Sequence, residues 1–147
     1  MIDKDILESI SFHIIRPEDL NHHGTMFAAQ LSKWMIEGAL IAACRLVGKP
    51  EDVVCVQVDK LTFRKPLRNG DLIGIKSKVA YLGSSSITIY TEVGRRHDDD
   101  PVVTNLAIFV TVDEQNKTYA HGLKLSEEYI AENRGIYEAA LKIQGKK

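Results

Sequence analysis

The chain has 147 residues, the length of one domain of ordinary size. It carries 19 Lys and Arg against 20 Asp and Glu, a formal net charge of −1, and 44% of its residues are hydrophobic. This balance excludes a disordered chain and argues against a nucleic-acid binder that relies on a broad basic field. No apolar run reaches the ~18 residues that a membrane span needs. We therefore expect one domain over residues 1–147, with neither nucleic acid nor membrane as its partner.

The N-terminus and the cysteines favour a cytoplasmic protein. Met1–Asp5 lacks the basic and apolar regions of a signal peptide. Cys44 and Cys55 each lie in an apolar run, which predicts two buried, reduced thiols rather than a disulfide.

The first half of the chain predicts a strand followed by one long helix. Ser9–Arg16 is rich in β-branched and aromatic residues, and Pro17 ends this short strand. After a polar loop, Met26–Val47 is dominated by Ala, Leu, Met and Ile, and it contains no proline. Gly48 and Pro50 supply the signal that ends the helix.

Beyond Pro50 the pattern changes to strands and then to a terminal helix. Four strands are predicted over Val53–Phe63, Leu72–Leu82, Ile87–Val93 and Val102–Asp113. Ser126 opens a helix within a C-terminal extension at 123–147, and residues 133–135 interrupt it before Ile143. The order is that of an α+β fold. Its simplest topology is a four-stranded meander that, with the first strand, forms a five-stranded antiparallel sheet curled around the long helix.

A narrow polar stripe runs along the predicted long helix. At about 100° per residue, Gln30, Lys33 and Glu37 fall within about 60° of one another on an otherwise apolar cylinder. One interpretation is a solvent-facing ion pair of Lys33 with Glu37. The other is that the stripe meets a partner subunit or a ligand, in which case Glu37 is either a general base or part of an interface salt bridge.

The loop before the helix and a basic segment are the other candidate sites. Asn21–Gly24 precedes the helix and predicts either N-capping chemistry or an oxyanion site at the free backbone N–H groups of the helix N-terminus. Arg64, Lys65 and Arg68 form a basic cluster that is either a solvated edge or a phosphate site. The five histidines have no metal-ligand spacing, so we expect no metal.

These pieces, taken in order, resemble a known family. Residues 17–35, which include Asn21, Gly24 and Met35, are similar to the loop-and-helix signature of hotdog-fold acyl-CoA thioesterases. The likeness continues through Val58–Leu67 and Gly70-Asp71, through the segment Gly83-Ser84-Ser85-Ser86, and through the final strand. It covers residues 9 to 114.

The resemblance implies a hotdog fold, in which a five-stranded antiparallel sheet wraps around one central helix, here with an extra C-terminal helix. It implies hydrolysis of acyl-CoA to free acid and CoA, within fatty acid metabolism. Coenzyme A would enter as part of the substrate, with no separate cofactor. Family members dimerise edge to edge and often assemble further, so the resemblance implies a homodimer or a higher even-numbered homo-oligomer.

Roles for individual residues follow from the same resemblance. Asn21 matches the loop asparagine that positions the carbonyl or water, with Gly24 in the same loop, and the backbone N–H of Ala29 matches a carbonyl-polarising donor. Glu37 is the candidate base. Arg64 and Lys65, with Gly83, Ser84, Ser85 and Ser86, fall where the family holds CoA.

Two departures keep other functions open. Ala28 and Ala29 replace a Gly-Gly pair, and Ile36 occupies the place of the family's catalytic carboxylate, one residue before Glu37. A non-catalytic acyl-CoA or acyl-carrier binding protein is one alternative. A hotdog enoyl-thioester hydratase that uses His22 or His23 is another.

Overall fold

The computed structural model describes residues 2–145. One long helix, α1, lies against a five-stranded antiparallel sheet, and two short helices follow near the C-terminus. The strands are β1 (Glu8–Ile14), β2 (Val53–Phe63), β3 (Leu72–Leu82), β4 (Ser86–Arg95) and β5 (Val103–Thr111). The helices are α1 (Ala28–Val47), α2 (Glu127–Glu132) and α3 (Arg134–Ile143). The predicted α+β class and the five-stranded sheet around a long helix are confirmed.

The strand order differs from the predicted meander. The order is β1-β3-β4-β5-β2, so only β3, β4 and β5 form a meander. Strand β2 pairs with β5, from Val53 opposite Thr111 to Phe63 opposite Val103. The prediction that β2 lies beside β3 is wrong, because alternation of side chains identifies a strand but not its neighbour. Strands β1 and β2 are therefore the two edges of the sheet.

Helix α1 buries one stripe of side chains against the inner face of the sheet. Leu31, Met35 and Ala39 follow one another at intervals of four residues, and each is almost fully buried. The N-terminal half of α1 packs on Ile73, Val93 and Val103, and the C-terminal half packs on Val79, Ile89 and Phe109. These two apolar clusters fix the helix across the sheet.

Helix α1 begins at Ala28 and not at the predicted Met26. The backbone N–H of Met26 donates to the carbonyl of Leu67 at 2.8 Å, so Met26 belongs to a loop bridge. At the other end the predicted stop is confirmed. Gly48 has φ = 80°, in the left-handed region that favours glycine, and its N–H donates to the Cys44 carbonyl.

The C-terminal segment folds onto the outer face of the sheet. Ser126 caps α2, and the predicted interruption is confirmed because Asn133 separates α2 from α3. Ala140 of α3 packs with Ala80 and Leu106 on the side of the sheet away from α1. Residues 146 and 147 of the predicted extension lie outside the described residues. Within the described part of the chain, no helix is long and apolar enough to cross a bilayer.

The two thiols differ from the expectation. Cys44 is half-buried, and burial together with the nearby Glu51 raises the pKa of its thiol. Cys55 is exposed, so the prediction that it is buried is wrong. The reason is its place on β2, an edge strand where apolar residues have no covering element in the protomer. Both cysteines are free, so no disulfide joins them.

Candidate functional site

Asn21 organises the loop that precedes α1. Its Oδ1 accepts hydrogen bonds from the backbone N–H groups of His23 at 2.8 Å and Thr25 at 3.3 Å. Its Nδ2 donates to the Thr25 hydroxyl at 3.0 Å and, over a longer 3.4 Å, to the Met26 carbonyl. Gly24 closes the turn with φ = 80° and donates its N–H to the Asn21 carbonyl. The amide is thus held in place, and its long bond to Met26 is the contact that a substrate could most readily replace.

Asp19 ties the same loop to the first turn of α1. Its carboxylate is buried and accepts from the backbone N–H of Arg16 at 3.0 Å and from Gln30 Nε2 at 3.2 Å. The Asp19 carbonyl also accepts the N–H of Phe27 at 2.8 Å. Through these bonds Asp19 fixes the end of β1, the loop and the helix start relative to one another.

The helix N-terminus is left without a side-chain cap. Phe27 is the residue at the N-cap position, and it makes no capping hydrogen bond. Of the two alternatives for this loop, capping of α1 is not observed, because Asn21 and Thr25 bond to each other and to the loop. Within residues 2–145, no acceptor is bonded to the backbone N–H groups of Ala28 and Ala29, and both residues are exposed. Free N–H groups at the positive end of a 20-residue helix suit an oxyanion or a polarised carbonyl.

The structure brings the basic segment beside this loop. Thr25 forms a β-bridge with Arg68, and Met26 bonds to Leu67. A cavity of about 320 Å³ lies between the two segments. Its lining residues are Thr25, Met26, Ala28, Leu31, Phe63, Arg64, Lys65, Pro66, Leu67 and Val103. The cavity therefore joins the helix start to two cationic side chains.

The two cations at the cavity have different partners. Arg64 Nη1 donates to the Thr104 hydroxyl at 2.8 Å, which holds the guanidinium at the end of the sheet. Lys65 Nζ lies 3.8 Å from Asp98 and stays more than half exposed. The Asp98 carboxylate is also held at 2.6 Å by Arg95, and this hydrogen bond lowers the pKa of Asp98. Because its ion pair with Asp98 is long and exposed, Lys65 can bind an anionic ligand instead with little loss of free energy.

The Gly83–Ser86 segment is not near these cations within one protomer. Ser86 pairs with Val110 at one end of β5, whereas Arg64 follows Phe63, which pairs with Val103 at the other end. Seven residues of strand separate the two ends, which is roughly 23 Å. A single protomer therefore does not assemble the whole set of CoA-binding residues that the resemblance implies.

Glu37 lies apart from the loop. It is exposed on the side of α1 that faces away from the sheet, about 12 Å along the helix axis from Ala29. No ion pair joins it to Lys33 in the described part of the chain, so the predicted surface pair is not formed. Ile36 is half-buried on the flank of the helix that faces β2, since Trp34 on the other flank stacks on His13 of β1.

His22 and His23 sit at the exposed tip of the loop. Their rings lie 4.0 Å apart and tilted, with no contact to the first turn of α1 among the bonds of the described residues. No cluster of three or more potential metal ligands occurs within residues 2–145. The structure thus gives neither histidine a place beside the candidate oxyanion donors.

Sequence reasoning missed Asp19 and Thr25. Both lie inside the loop that carries the resemblance, but their contacts form only in the folded chain. Asp19 bonds to Gln30, and Thr25 bonds to Asn21 and forms a β-bridge with Arg68. The available signal was the spacing of Asp19 and Asn21, two residues apart in a polar loop directly before a long helix.

Comparison with known proteins decides the family. The model of the thioesterase superfamily matches residues 23–102, more than half of the chain. The chain belongs to this superfamily. The matched segment begins within the Asn21 loop region, contains all of α1, and extends to the start of β5, so it includes the helix N-terminus and the adjacent basic segment.

Relatives within the thioesterase superfamily are named as acyl-CoA thioester hydrolases. The acyl-CoA thioester hydrolase of Salmonella typhimurium is 31% identical over 69% of this chain and 80% of its own length. An uncharacterized acyl-CoA thioester hydrolase of Bacillus subtilis is 28% identical over 69% of this chain. The match spans 60% of the length of that second relative.

Solved structures of thioesterases share the fold. An acyl-CoA hydrolase from Staphylococcus aureus, in complex with butyryl-CoA, CoA and CoA disulfide, superposes with a TM-score of 0.79 and 25% identity. It covers 95% of this chain and 82% of that one. A hexameric thioesterase from Yersinia pestis has a TM-score of 0.69 and 28% identity, over 79% of this chain and 94% of that one. These similarities confirm the hotdog fold.

Proposed function

We propose that this protein hydrolyses the thioester of acyl-CoA substrates to a free acid and CoA. The observation that carries the proposal is the uncapped N-terminus of α1, with the bonded Asn21 loop on one side and the cationic cavity on the other. The relatives named as acyl-CoA thioester hydrolases support the same chemistry.

In this proposal the chain supplies the electrophilic half of the site from one protomer. The thioester carbonyl accepts hydrogen bonds from the N–H groups of Ala28 and Ala29, which stabilise the oxyanion that forms when water attacks. Asn21 orients the carbonyl or the water, and Gly24 allows the tight turn that holds Asn21. The carbon–sulfur bond then breaks, and CoA leaves as the thiol after protonation.

The proposal assigns the base to Glu37. Glu37 is the one carboxylate of α1. Its distance from Ala29 along the helix prevents it from serving its own protomer's oxyanion donors. In the proposed mechanism Glu37 therefore acts on the site of the partner subunit, where it accepts a proton from the attacking water.

The β2 edge is the surface on which we place that partner. Apolar side chains along β2 are exposed, namely Val54, Val56, Val58, Leu61 and Phe63. An unpaired edge strand also presents free backbone N–H and C=O groups. Antiparallel pairing of two β2 strands about a two-fold axis would cover both and extend the sheet across the homodimer.

The same two-fold arrangement would complete the CoA site. Antiparallel pairing brings the Arg64 end of one sheet beside the Gly83–Ser86 end of the other. Arg64 and Lys65 of one protomer and Gly83, Ser84, Ser85 and Ser86 of its partner would then hold CoA together. The phosphates of CoA suit the two cations, and the serine hydroxyls and loop N–H groups add hydrogen-bond donors.

An acyl-CoA panel of different chain lengths, assayed with a thiol-trapping reagent, tests the proposal. Wild-type protein is expected to release CoA from at least one member well above the buffer rate. Thiol release from no member would contradict the proposal. Hydration of crotonyl-CoA, followed by absorbance, checks the hydratase alternative in the same samples.

A non-catalytic acyl-CoA binding protein is the second candidate, and Ile36 favours it. Position 36, on the flank of α1 that faces β2, carries an isoleucine and not a carboxylate. Ala28 and Ala29 place two methyl groups at the helix start. Calorimetric binding of acyl-CoA without thiol release would support this candidate.

We place the activity in the cytoplasm, in the metabolism of fatty acyl thioesters. A rat relative that is 31% identical over 67% of this chain is named as a cytosolic enzyme, and the two free cysteines suit a reducing compartment. Fractionation of cells with an antibody against the protein tests the compartment.

A further inference from the structure

The turn between β3 and β4 has all of its serine carbonyls occupied. The Ser84 carbonyl accepts the N–H of His121 at 3.1 Å, and the Ser85 carbonyl accepts the N–H of Thr111 at 3.0 Å. The Ser86 carbonyl lies 3.0 Å from Nε2 of the His121 ring. The carbonyl groups of the turn are therefore bonded within the protein and are not available to a ligand.

The N–H groups of the same turn are free by contrast. Within residues 2–145, the backbone N–H groups of Ser84 and Ser85 donate to no acceptor, and Ser84 is exposed. Successive free N–H groups in a turn form a concavity that suits an anion. A turn with bonded carbonyls and free N–H groups thus presents donors only, which is what a phosphate group requires.

His121 bonds to the turn through its ring as well as through its backbone. The N–H of Leu123 donates to Nδ1 of His121 at 3.0 Å, so the ring carries its proton on Nε2. The Nε2–H group then donates to the Ser86 carbonyl. One half-buried residue therefore holds two carbonyls of the turn, those of Ser84 and Ser86.

The segment that carries His121 lies between β5 and α2, beyond residue 102, where the match to the thioesterase superfamily model ends. Contacts outside the turn hold this segment in place. The N–H of Tyr119 donates to the Thr111 carbonyl at 3.0 Å, and the Tyr119 hydroxyl donates to the Asp52 carboxylate. The position of His121 therefore does not depend on the turn that it contacts.

We propose that His121 is a positioning residue for CoA. It holds the carbonyls of Ser84 and Ser86, so that the N–H groups of Ser84 and Ser85 stay free for a phosphate of CoA. The proposal rests on the CoA site proposed above, to which this turn belongs. Because the turn would bind the phosphates and not the thioester, loss of His121 should raise KM and leave kcat unchanged.

Two variants separate the two contacts of the ring. His121→Asn keeps an acceptor near Nδ1 for the Leu123 N–H but removes the donor to Ser86. His121→Gln removes the Leu123 acceptor but keeps a donor near Nε2. The Kd for free CoA, measured by calorimetry, and KM for acyl-CoA should rise about tenfold in His121→Asn, as for the loss of one hydrogen bond. His121→Gln should recover most of that affinity, and circular dichroism verifies that both variants fold.

A truncated substrate and a second site provide the controls. A thioester of N-acetylcysteamine has the acyl group and the thiol end of CoA but no phosphate, so both His121 variants should cleave it at the wild-type rate. Tyr119→Phe is the matched control in the same segment. It removes the hydroxyl bond to Asp52, and it should lower stability to urea without changing the Kd for CoA.

Any of four results would overturn the proposal. They are a wild type that does not bind CoA, an unchanged Kd in His121→Asn, a Kd in His121→Gln or Tyr119→Phe that rises as much as in His121→Asn, and an equal loss of rate on the truncated thioester. The calorimetry uses free CoA and needs no turnover, so it separates this proposal from the catalytic one. A wild type that binds CoA, loses affinity in His121→Asn and cleaves no thioester would support the role of His121 and refute the proposed reaction.

Discussion

The two ends of the candidate catalytic apparatus differ in how firmly the fold holds them. At the start of α1, Asn21 is hydrogen-bonded to Thr25, and Asp19 is hydrogen-bonded to Gln30. The exposed N–H groups of Ala28 and Ala29 belong to the same helix start. Two turns further along α1, Ile36 is half-buried and Glu37 is exposed without an ion pair in the described chain. On the proposed mechanism, one protomer would build the electrophilic part of the hydrolytic site, whereas the base would depend on assembly.

The largest expected effect comes from the middle of α1. Glu37→Gln removes the proposed base while keeping the shape of the side chain, and kcat for CoA release should fall about 10²–10⁴-fold. Steady-state assays at saturating acyl-CoA measure the change, and Lys33→Gln serves as the control on the same exposed face.

Ile36→Asp sharpens the same comparison. If Glu37→Gln leaves kcat unchanged and Ile36→Asp raises it, the base belongs at position 36, and Glu37 has no part in the reaction. That pair of results would remove Glu37 from the mechanism and leave the oxyanion site intact.

A smaller effect is expected where the loop joins the helix. Asp19→Ala removes the acceptor for the Arg16 N–H and for Gln30, and the shift of the Asn21 loop should lower kcat roughly 10–100-fold with KM little changed. Asp19→Asn should recover most of the rate, because its oxygen can still accept the Arg16 N–H while the Gln30 amide turns over. Glu18→Ala is the matched control, an exposed carboxylate one residue away. Equal losses in Asp19→Ala and Asp19→Asn would argue against a positioning role.

A still smaller effect should follow from changing the Thr25 hydroxyl. Thr25→Val keeps the branched shape but removes the acceptor for Asn21 Nδ2, so the free energy of unfolding should fall by about 0.5–1.5 kcal/mol. Urea denaturation gives this value. An unchanged midpoint would mean that the Asn21 amide is held by the backbone alone.

The smallest expected effect is on the pH dependence of stability at Asp98. Its carboxylate is hydrogen-bonded to Arg95, whereas Glu37 has no ion pair in the described chain. The hydrogen bond from Arg95 lowers the pKa of Asp98, so its contribution to stability is present above the ordinary carboxyl pKa. That contribution is lost as pH falls through the lower, folded-state value. A carboxyl NMR titration should therefore give a midpoint below about 3.9, and Arg95→Met should raise it toward that value, because the largest cause of the shift is removed. A midpoint already at the ordinary value in wild type would show that the pair is not formed in solution.

The sequence predicts where helices and strands lie along the chain better than it predicts which strands lie side by side. The long helix, its stop at Gly48 and the break at Asn133 depend on local signals, and they are confirmed. The place of β2 and the exposure of Cys55 depend on which strand lies beside which, and alternation carries no such information.

The same limit applies to the candidate site. The resemblance drew attention to the Asn21 loop, but the bonds of Asp19 to Gln30 and of Thr25 to Asn21 arise only when the loop folds onto the helix. The roles of Asn21, Gly24, Ala29 and Glu37 in catalysis stay predictions.

The central claim is that Asn21 and the helix N-terminus carry thioester hydrolysis. It is tested most directly by comparing wild type with Asn21→Ala on the acyl-CoA that wild type hydrolyses fastest. We predict that kcat falls about 10²–10³-fold, the cost of losing a group that stabilises or orients the transition state, while KM changes little. An Asn21→Ala protein that is folded and turns over at the wild-type rate would contradict the account.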